Sequence, residues 1–367
     1  MSSSNSASSS TSNSAVSSAA SSHPSELSDI KFFIAYTAEG NSLSAKQAEQ
    51  AFDLLMTGEA TPSQVAGLLM SLRVRGETVD EITGAARAMR SKMLTVKAPK
   101  GAIDVCGTGG DAKGTLNVST ATAFVVAATG VTVAKHGNRA ASSKSGASDV
   151  LGALGIGLEA SVEAVEHALV SNGTCFLAAP LYHSAMRHVG PTRAELATRT
   201  IFNVLGPLSN PCKVTRQIMG VYSRDLVEPI ANVLKALGHE KAWVVHGAEG
   251  LDELSISGLS FISELDQGRV HNFEIIPEMA GLERSPIEEI IGGDAEFNAK
   301  AMRSMLGGEK NAYRNAVILN SAGALIVAGI TDDLKEAAVI AAKAIDSGAA
   351  LAKLDGLVSL TNEGSPS

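Results

Sequence analysis

The chain has 367 residues, long enough for one large domain and a smaller one. With 45% apolar and 19% charged residues it has the composition of a globular protein, while a formal net charge of -8 and only 4% aromatic residues disfavour a nucleic-acid-binding surface. Cys106, Cys175 and Cys212 lie far apart with no C-x-x-C pair, which excludes a zinc ribbon and a disulfide framework and points to a reducing, cytoplasmic setting.

The first 26 residues are a low-complexity tract of Ser, Ala and Asn with no Lys or Arg and little to bury. It is expected to be disordered, and neither a secretory signal nor a transit peptide fits it. No run of about 20 apolar residues follows, so no membrane span is expected. Residues 27–97 read as a helical domain, with part of 160–195 joining it. Ser44 with Gln47, Thr61 before Pro62, and Thr78 with Glu81 are start signals for three helices, and Gly76 ends the second. Val65, Leu68, Leu69 and Leu72 recur at spacings of three and four, giving a stripe for a bundle core or a dimer face.

From 98 to 360 the texture changes. "AIDVC", "VTVAKHG", "TCFLAA", "RQIMGVY", "KAWVVHG" and "AVILNSAGAL" are apolar runs separated by helix-length segments. They predict six strands in an α/β domain with a mostly parallel central sheet flanked by helices. Ligands of such folds bind in the loops beyond the carboxyl ends of the strands, where three unusual loops fall.

The first, "GTGGD", contains G-x-G-x-x-A as Gly107, Gly109 and Ala112, a weak match to a dinucleotide loop. Asp111 within it would repel a bare pyrophosphate. The next strand ends in Lys135 and His136, not in the acid that a nicotinamide ribose needs. Glycines followed by "NVST" at the start of a helix fit a phosphate cradle of another kind, with backbone N–H groups, hydroxyls and the helix dipole all favouring an anion. The second loop, "KHGNRAASSKSGASD", adds Lys135, Arg139 and Lys144 among serines, suiting a highly charged phosphate ligand. In the third, "HGAEGLDE", Asp252 and Glu253 are adjacent acids. Beside two phosphate loops they suit Mg²⁺, a hard cation that bridges to substrate phosphates. Arg193, in a loop ahead of a helical run, is the best candidate for a bidentate carboxylate clamp, a surface ion pair being its alternative.

Taken in order, GTGGD with NVST, KHGN-R-x-x-SSKSG, R-T-x-FN-x-LGPL-x-NP and G-x-DE resemble the anthranilate phosphoribosyltransferase family, as does the helical segment from Thr57 to Ile82. The resemblance runs from about Leu27 to the last helix. It implies a Mg²⁺-dependent pentosyltransferase of tryptophan biosynthesis, moving the phosphoribosyl group of 5-phosphoribosyl-1-pyrophosphate to anthranilate. By that resemblance the donor meets Gly107, Gly110, Asp111, Thr115, Asn117, Val118, Ser119, Thr120, Lys135, His136, Gly137, Asn138, Arg139, Ala140, Ala141, Ser142, Ser143 and Ala147. The last is often Ser in the family, so only its backbone could contribute. Anthranilate would meet Gly107, Asn138 and Arg193. Two Mg²⁺ ions per subunit would rest on Ser119, Asp252 and Glu253. No general base is implied, and a homodimer through the helical domain is expected.

Overall fold

The structure, a computed structural model, describes residues 29–138 and 145–362. The Ser-rich tract and Arg139, Ala140, Ala141, Ser142, Ser143 and Lys144 lie outside the described residues.

Four helices open the described chain: α1 (Ile30–Ala38), α2 (Ala45–Thr57), α3 (Pro62–Arg75) and α4 (Val79–Lys92). Reciprocal capping boxes start the last three, at Ser44 with Gln47, Thr61 with Gln64, and Thr78 with Glu81. Each satisfies two N–H groups that the first helical turn leaves without partners. The start signals read from the sequence therefore hold, and α1 is an addition to the three helices they mark. Val65, Leu68, Leu69 and Leu72 are all buried on one face of α3. Burying each such side chain contributes about 1.5–3 kcal/mol.

The remainder alternates strands and helices. In chain order they are β1 (Ile103–Gly107), α5 (Val118–Ala128), β2 (Val133–Gly137), α6 (Ala147–Ala153), α7 (Val162–Ser171), β3 (Thr174–Ala178) and α8 (Ala179–Tyr182). Then come α9 (Gly190–Leu196), α10 (Phe202–Leu205), β4 (Arg216–Gly220), α11 (Val227–Ala236) and β5 (Lys241–Gly247). A hairpin of β6 (Ser260–Asp266) and β7 (Arg269–Ile275) follows. Four helices close the chain: α12 (Ala295–Leu306), α13 (Ala312–Ala328), α14 (Leu334–Asp346) and α15 (Ala349–Asn362).

The seven strands form one sheet in the order β3-β2-β1-β4-β5-β6-β7. The first five are parallel, and β6 and β7 run antiparallel at one edge. Successive strand residues serve opposite faces. Val105, Ile218 and Trp243 join a core with α5, α13 and α14, while Cys106, Met219 and Val244 join the core of α1–α4 and α11. Within 160–195, α7 packs in the first of these cores, whereas Ala185, Met186 and Val189 pack with the bundle. The helical bundle and one sheet face thus share continuous apolar packing.

One sequence expectation is overturned. "AVILNSAGAL" is no strand but the middle of α13, a helix of 17 residues, 15 of them buried. A helix enclosed on every side loses its polar stripe, and its apolar run cannot be told from a buried strand by periodicity. Asn311, whose side chain accepts from Arg314 N–H, and Gly329, in the left-handed conformation, mark its ends.

A buried histidine in the turn between α11 and β5 makes the fold acid-sensitive. Burial and the neighbouring charge of Arg90 push His239 down to about 3. The unfolded chain titrates it near 6.5, so stability present above that pH is lost as pH falls from about 6.5 toward 3. His239→Gln is therefore expected to lose less stability than the unaltered chain between pH 7 and 5, as read from urea midpoints.

Candidate active site

Strand order reverses at β1: β2 and β3 lie to one side of it, β4 and β5 to the other. In an open parallel sheet such a switch point leaves a crevice beyond the carboxyl ends of the strands. The loop after β1 enters it, with Gly109 and Gly110 at φ of +65° and +75°, a region where a side chain is strained. Farther along, Thr115 bridges Ile291, Leu116 N–H donates to the Ile290 carbonyl at 2.8 Å, and Gly292 N–H donates to that of Gly114 at 2.8 Å. Asn117 does not cap α5 with its own side chain. Its amide oxygen instead accepts from Asn298 at 3.0 Å, and its carbonyl accepts from the Tyr313 hydroxyl at 3.1 Å. The first turn of α5 carries half-buried Ser119 between buried Val118 and Thr120.

Asp252 and Glu253, from the loop after β5, close on this turn from across the crevice. Asp252 Oδ2 accepts from Gly109 N–H at 2.6 Å, and Glu253 Oε1 accepts from Ser119 N–H at 2.9 Å. Burial and the negative charge of Asp111 raise Asp252 to about 6. Burial and the adjacent Asp252 push Glu253 well above the usual carboxylate range. Lys135 supplies the opposing charge from the end of β2. Its buried ammonium donates to the Val105 carbonyl at 2.7 Å and stands 3.4 Å from Ser119 Oγ. Burial lowers its pKa, while Asp104, Glu253 and Asp252 act against that fall. The structure thus brings together Gly107, Ser119, Lys135, Asp252 and Glu253.

His136, the next residue of β2, faces His183 with their Nε2 atoms 3.3 Å apart. Burial and the facing His183 push His136 down to about 3, and burial takes His183 to about 4. Both rings are neutral at pH 7. Apart from the contact between the two rings, the buried His183 Nδ1 has no hydrogen-bond partner among the described residues. Gly137 and Asn138 lead out of β2, with the Asn138 carbonyl accepting from Ser148 N–H at 3.3 Å beside Ala147.

Arg193 is not in a loop ahead of a helix, as the sequence reading has it, but inside α9, which Gly190 and Pro191 open. Proline at the start of a helix needs no N–H partner, and Pro191 is the signal in the sequence that marks this start. The half-buried guanidinium lies over Phe202, 5.1 Å from the ring centroid, and among the described residues no carboxylate forms an ion pair with it. Phe202 opens α10, so Arg193 is seated against the first residue of that short helix.

Comparison with known proteins decides the family. Residues 32–93 match the helical bundle domain of a glycosyl transferase family, and residues 99–351 match its a/b domain. Over 336 residues the chain is 56% identical to an anthranilate phosphoribosyltransferase of Chelativorans sp. (strain BNC1), covering 92% of this chain and 99% of that one. The chain belongs to the anthranilate phosphoribosyltransferase family. Among solved structures, the anthranilate phosphoribosyltransferase of Thermus thermophilus superposes with a TM-score of 0.86 at 42% identity, covering 90% of this chain and 99% of that one. The Saccharomyces cerevisiae enzyme in complex with PRPP and Mg gives 0.84 at 28% identity over 92% of this chain and 99% of that one. A further structure of the yeast enzyme holds 4-fluoroanthranilate, at 26% identity and a TM-score of 0.81, covering 91% of this chain and 99% of that one.

The donor set fits the Mg²⁺ that appears in the yeast complex. Asp252, Glu253 and the Ser119 hydroxyl are hard oxygen donors, and the two crowded carboxylates need added positive charge. Among the described residues no group of three or more His, Cys, Asp or Glu could hold an ion by itself. Two carboxylates completed by substrate phosphates are a usual arrangement for Mg²⁺ at phosphate-transfer sites.

Residues of this site to which the sequence reading gives no role are Asp104, His183 and Gly220, and also Thr108, Arg199 and Asn210, which it quotes only as members of motifs. Asp104 lies wholly buried in β1, raised to about 6 by burial against the lowering charge of Lys135. Its carboxylate accepts from His136 N–H at 3.1 Å and from the Asn210 amide at 2.8 Å, which fastens the rigid "GPLSNP" turn to the strand carrying Lys135 and His136. An acid inside the apolar run "AIDVC" is the available signal. Gly220, at the end of β4, seats the acidic loop. A Cβ there would meet the Asp252 carbonyl oxygen at 1.4 Å, and one at Gly107 would meet Asp252 Oδ2 at 2.4 Å. Gly220→Ala forces backbone to move, so a loss of about 1–3 kcal/mol is expected from urea unfolding, with weakened Mg²⁺ binding by calorimetry.

Proposed function

We propose that the chain transfers the phosphoribosyl group of 5-phosphoribosyl-1-pyrophosphate to the amine of anthranilate, releasing pyrophosphate, in tryptophan biosynthesis. The observation that carries the reading is the meeting of Lys135 and Ser119 with the Asp252–Glu253 pair under a glycine loop. Cationic and N–H donors face hard acids across one crevice, which suits a metal-bound pyrophosphate ester and little else.

On this reading Gly107, Gly110, Asp111, Thr115 and residues 117–120 hold the donor together with Lys135–Asn138 and Ala147, and residues 139–143, which lie outside the described residues, are proposed to contribute as well. Asp252, Glu253 and Ser119 would hold up to two Mg²⁺ ions, whose charge supports the leaving pyrophosphate. Lys135 adds a fixed cation near those oxygens, positioned in advance by the Val105 carbonyl. Arg193, Asn138 and Gly107 hold anthranilate with its amine toward the ribose, so that encounter becomes attack geometry. An aryl amine arrives neutral with its lone pair free, and neutral His136 and His183 act as shape and hydrogen-bond partners instead of as bases.

Among the described residues no helix is long and apolar enough to cross a membrane. We place the enzyme in the cytoplasm as a homodimer, paired through the helical bundle, where Val74 on α3 is 82% exposed. Mixing the protein with anthranilate, 5-phosphoribosyl-1-pyrophosphate and Mg²⁺ tests the activity. Loss of anthranilate fluorescence is expected. No loss, with phosphate-dependent cleavage of a nucleoside instead, would overturn it.

A further inference from the structure

The glycine loop is fastened at three successive residues, each to a different part of the molecule. Thr108 N–H donates to the Gly220 carbonyl at 3.0 Å, and Thr108 Oγ1 accepts from Tyr222 N–H at 3.1 Å. Gly109 N–H is held by Asp252. The Gly110 carbonyl accepts from the guanidinium of Arg199, an exposed residue 89 positions away in the segment between α9 and α10. That guanidinium lies over Tyr222, 4.3 Å from the ring centroid. The backbone carbonyl of Arg199 accepts in turn from the Arg73 guanidinium of α3 at 2.6 Å. No ion pair among the described residues competes for Arg199.

These contacts have a consequence for the peptide joining Gly110 to Asp111. A trans peptide carries its N–H and C=O on opposite sides, so holding the carbonyl to Arg199 turns the Asp111 N–H away from Arg199. Turning this peptide changes ψ of Gly110 and φ of Asp111 together, and Gly110, at a φ of +75° and without a Cβ, lowers the cost on its side. A flip would present a carbonyl oxygen where an anion has to sit. Bonding to the charged guanidinium, itself stacked on a ring, is suited to preventing that.

We infer that Arg199 is a positioning residue: it locks the glycine loop in its anion-accepting form and ties that form to the helical bundle through Arg73. The inference rests on the proposed use of this loop for a pyrophosphate ester. Arg199 need not touch the substrate, because its effect passes through the orientation of one peptide.

Arg199→Ala, Arg199→Lys and Tyr222→Ala test it. Arg199→Ala is expected to raise the KM for 5-phosphoribosyl-1-pyrophosphate about tenfold or more, the scale of one charge-assisted hydrogen bond, with kcat changed less and the urea midpoint kept. Arg199→Lys retains a donor without the planar stack and should recover part of the loss, and added guanidinium chloride at a non-denaturing concentration should restore Arg199→Ala. Tyr222→Ala should act in the same direction, and the double variant should fall short of the product of the two. Calorimetry with pyrophosphate and Mg²⁺ reads the same loop without turnover and should weaken in parallel. If the unaltered enzyme ignores anthranilate while Arg199→Ala still weakens pyrophosphate, the proposed function fails and the loop lock stands. A KM and a pyrophosphate affinity within twofold of the unaltered enzyme would overturn the lock, as would a loss seen only in the urea midpoint.

Discussion

Replacing Asp252 or Glu253 by alanine is expected to reduce Mg²⁺-dependent turnover by about 10²–10³-fold, the scale seen when one pre-placed electrostatic group is lost from a reacting site. Two effects oppose each other in such a variant. Deletion removes a negative charge from a crevice meant for pyrophosphate, which favours the anion when no metal is present. It also removes a metal donor, which disfavours the anion when metal is present. The second wins under working conditions, because a pyrophosphate ester near Asp111 and the remaining acid needs the cation to offset them. The two should therefore cross: without metal the Asp252→Ala variant binds pyrophosphate more tightly than the unaltered enzyme, and with Mg²⁺ more weakly. The hydrogen bonds of the crevice favour the same outcome. Gly109 N–H and Ser119 N–H, which an anion could use, are taken by the Asp252 and Glu253 carboxylates. Calorimetry with and without EDTA reads both arms, and equal affinities in both conditions would remove the acids from the metal's place.

What the sequence makes legible is what short-range chemistry controls. A capping box is contained in four residues, so Ser44, Thr61 and Thr78 can be placed as helix starts without a structure. Five of the six expected strands can be found because each is a short apolar run followed by a turn signal, and "KAWVVHG" matches β5 residue for residue. The sixth fails because α13 is buried all round, which erases the period that separates helix from strand. Strands β6 and β7 escape the sequence reading although "DQG" between them marks a tight turn, with Gln267 and Gly268 both at positive φ. In the site, loops rich in glycine, hydroxyls or acids announce themselves by composition. The roles of Asp104, His183 and Arg199 do not, since each acts through a partner 32 to 106 residues away; the acid within "AIDVC" and the arginine of R-T-x-FN stand out locally without showing what they hold. Only the sheet order, which puts the ends of β1, β2, β4 and β5 around one crevice, makes them a set.

Arg193→Ala is expected to raise the anthranilate KM by about 10–100-fold, leaving the KM of the phosphoribosyl donor close to its original value. The structure supplies the physical reason. Desolvation lowers the pKa of this half-buried guanidinium, and among the described residues no acid forms an ion pair with it. A charge held under those conditions gains most from an arriving carboxylate. Its seat over the Phe202 ring fixes the plane of the fork, so lysine, which offers a point charge and no fork, should recover only part of the affinity. Alanine also removes packing on Phe202, and a raised KM alone could come from a shifted α9. Aniline separates the two causes, because it carries the reacting amine and lacks the carboxylate. A clamp that binds the carboxylate makes the unaltered enzyme prefer anthranilate over aniline, and in Arg193→Ala that preference should collapse while aniline turnover changes little. If aniline suffers as much as anthranilate, Arg193 shapes the pocket without reading the carboxylate, and the group that recognises the acid must be sought among the other residues around Asn138 and His183.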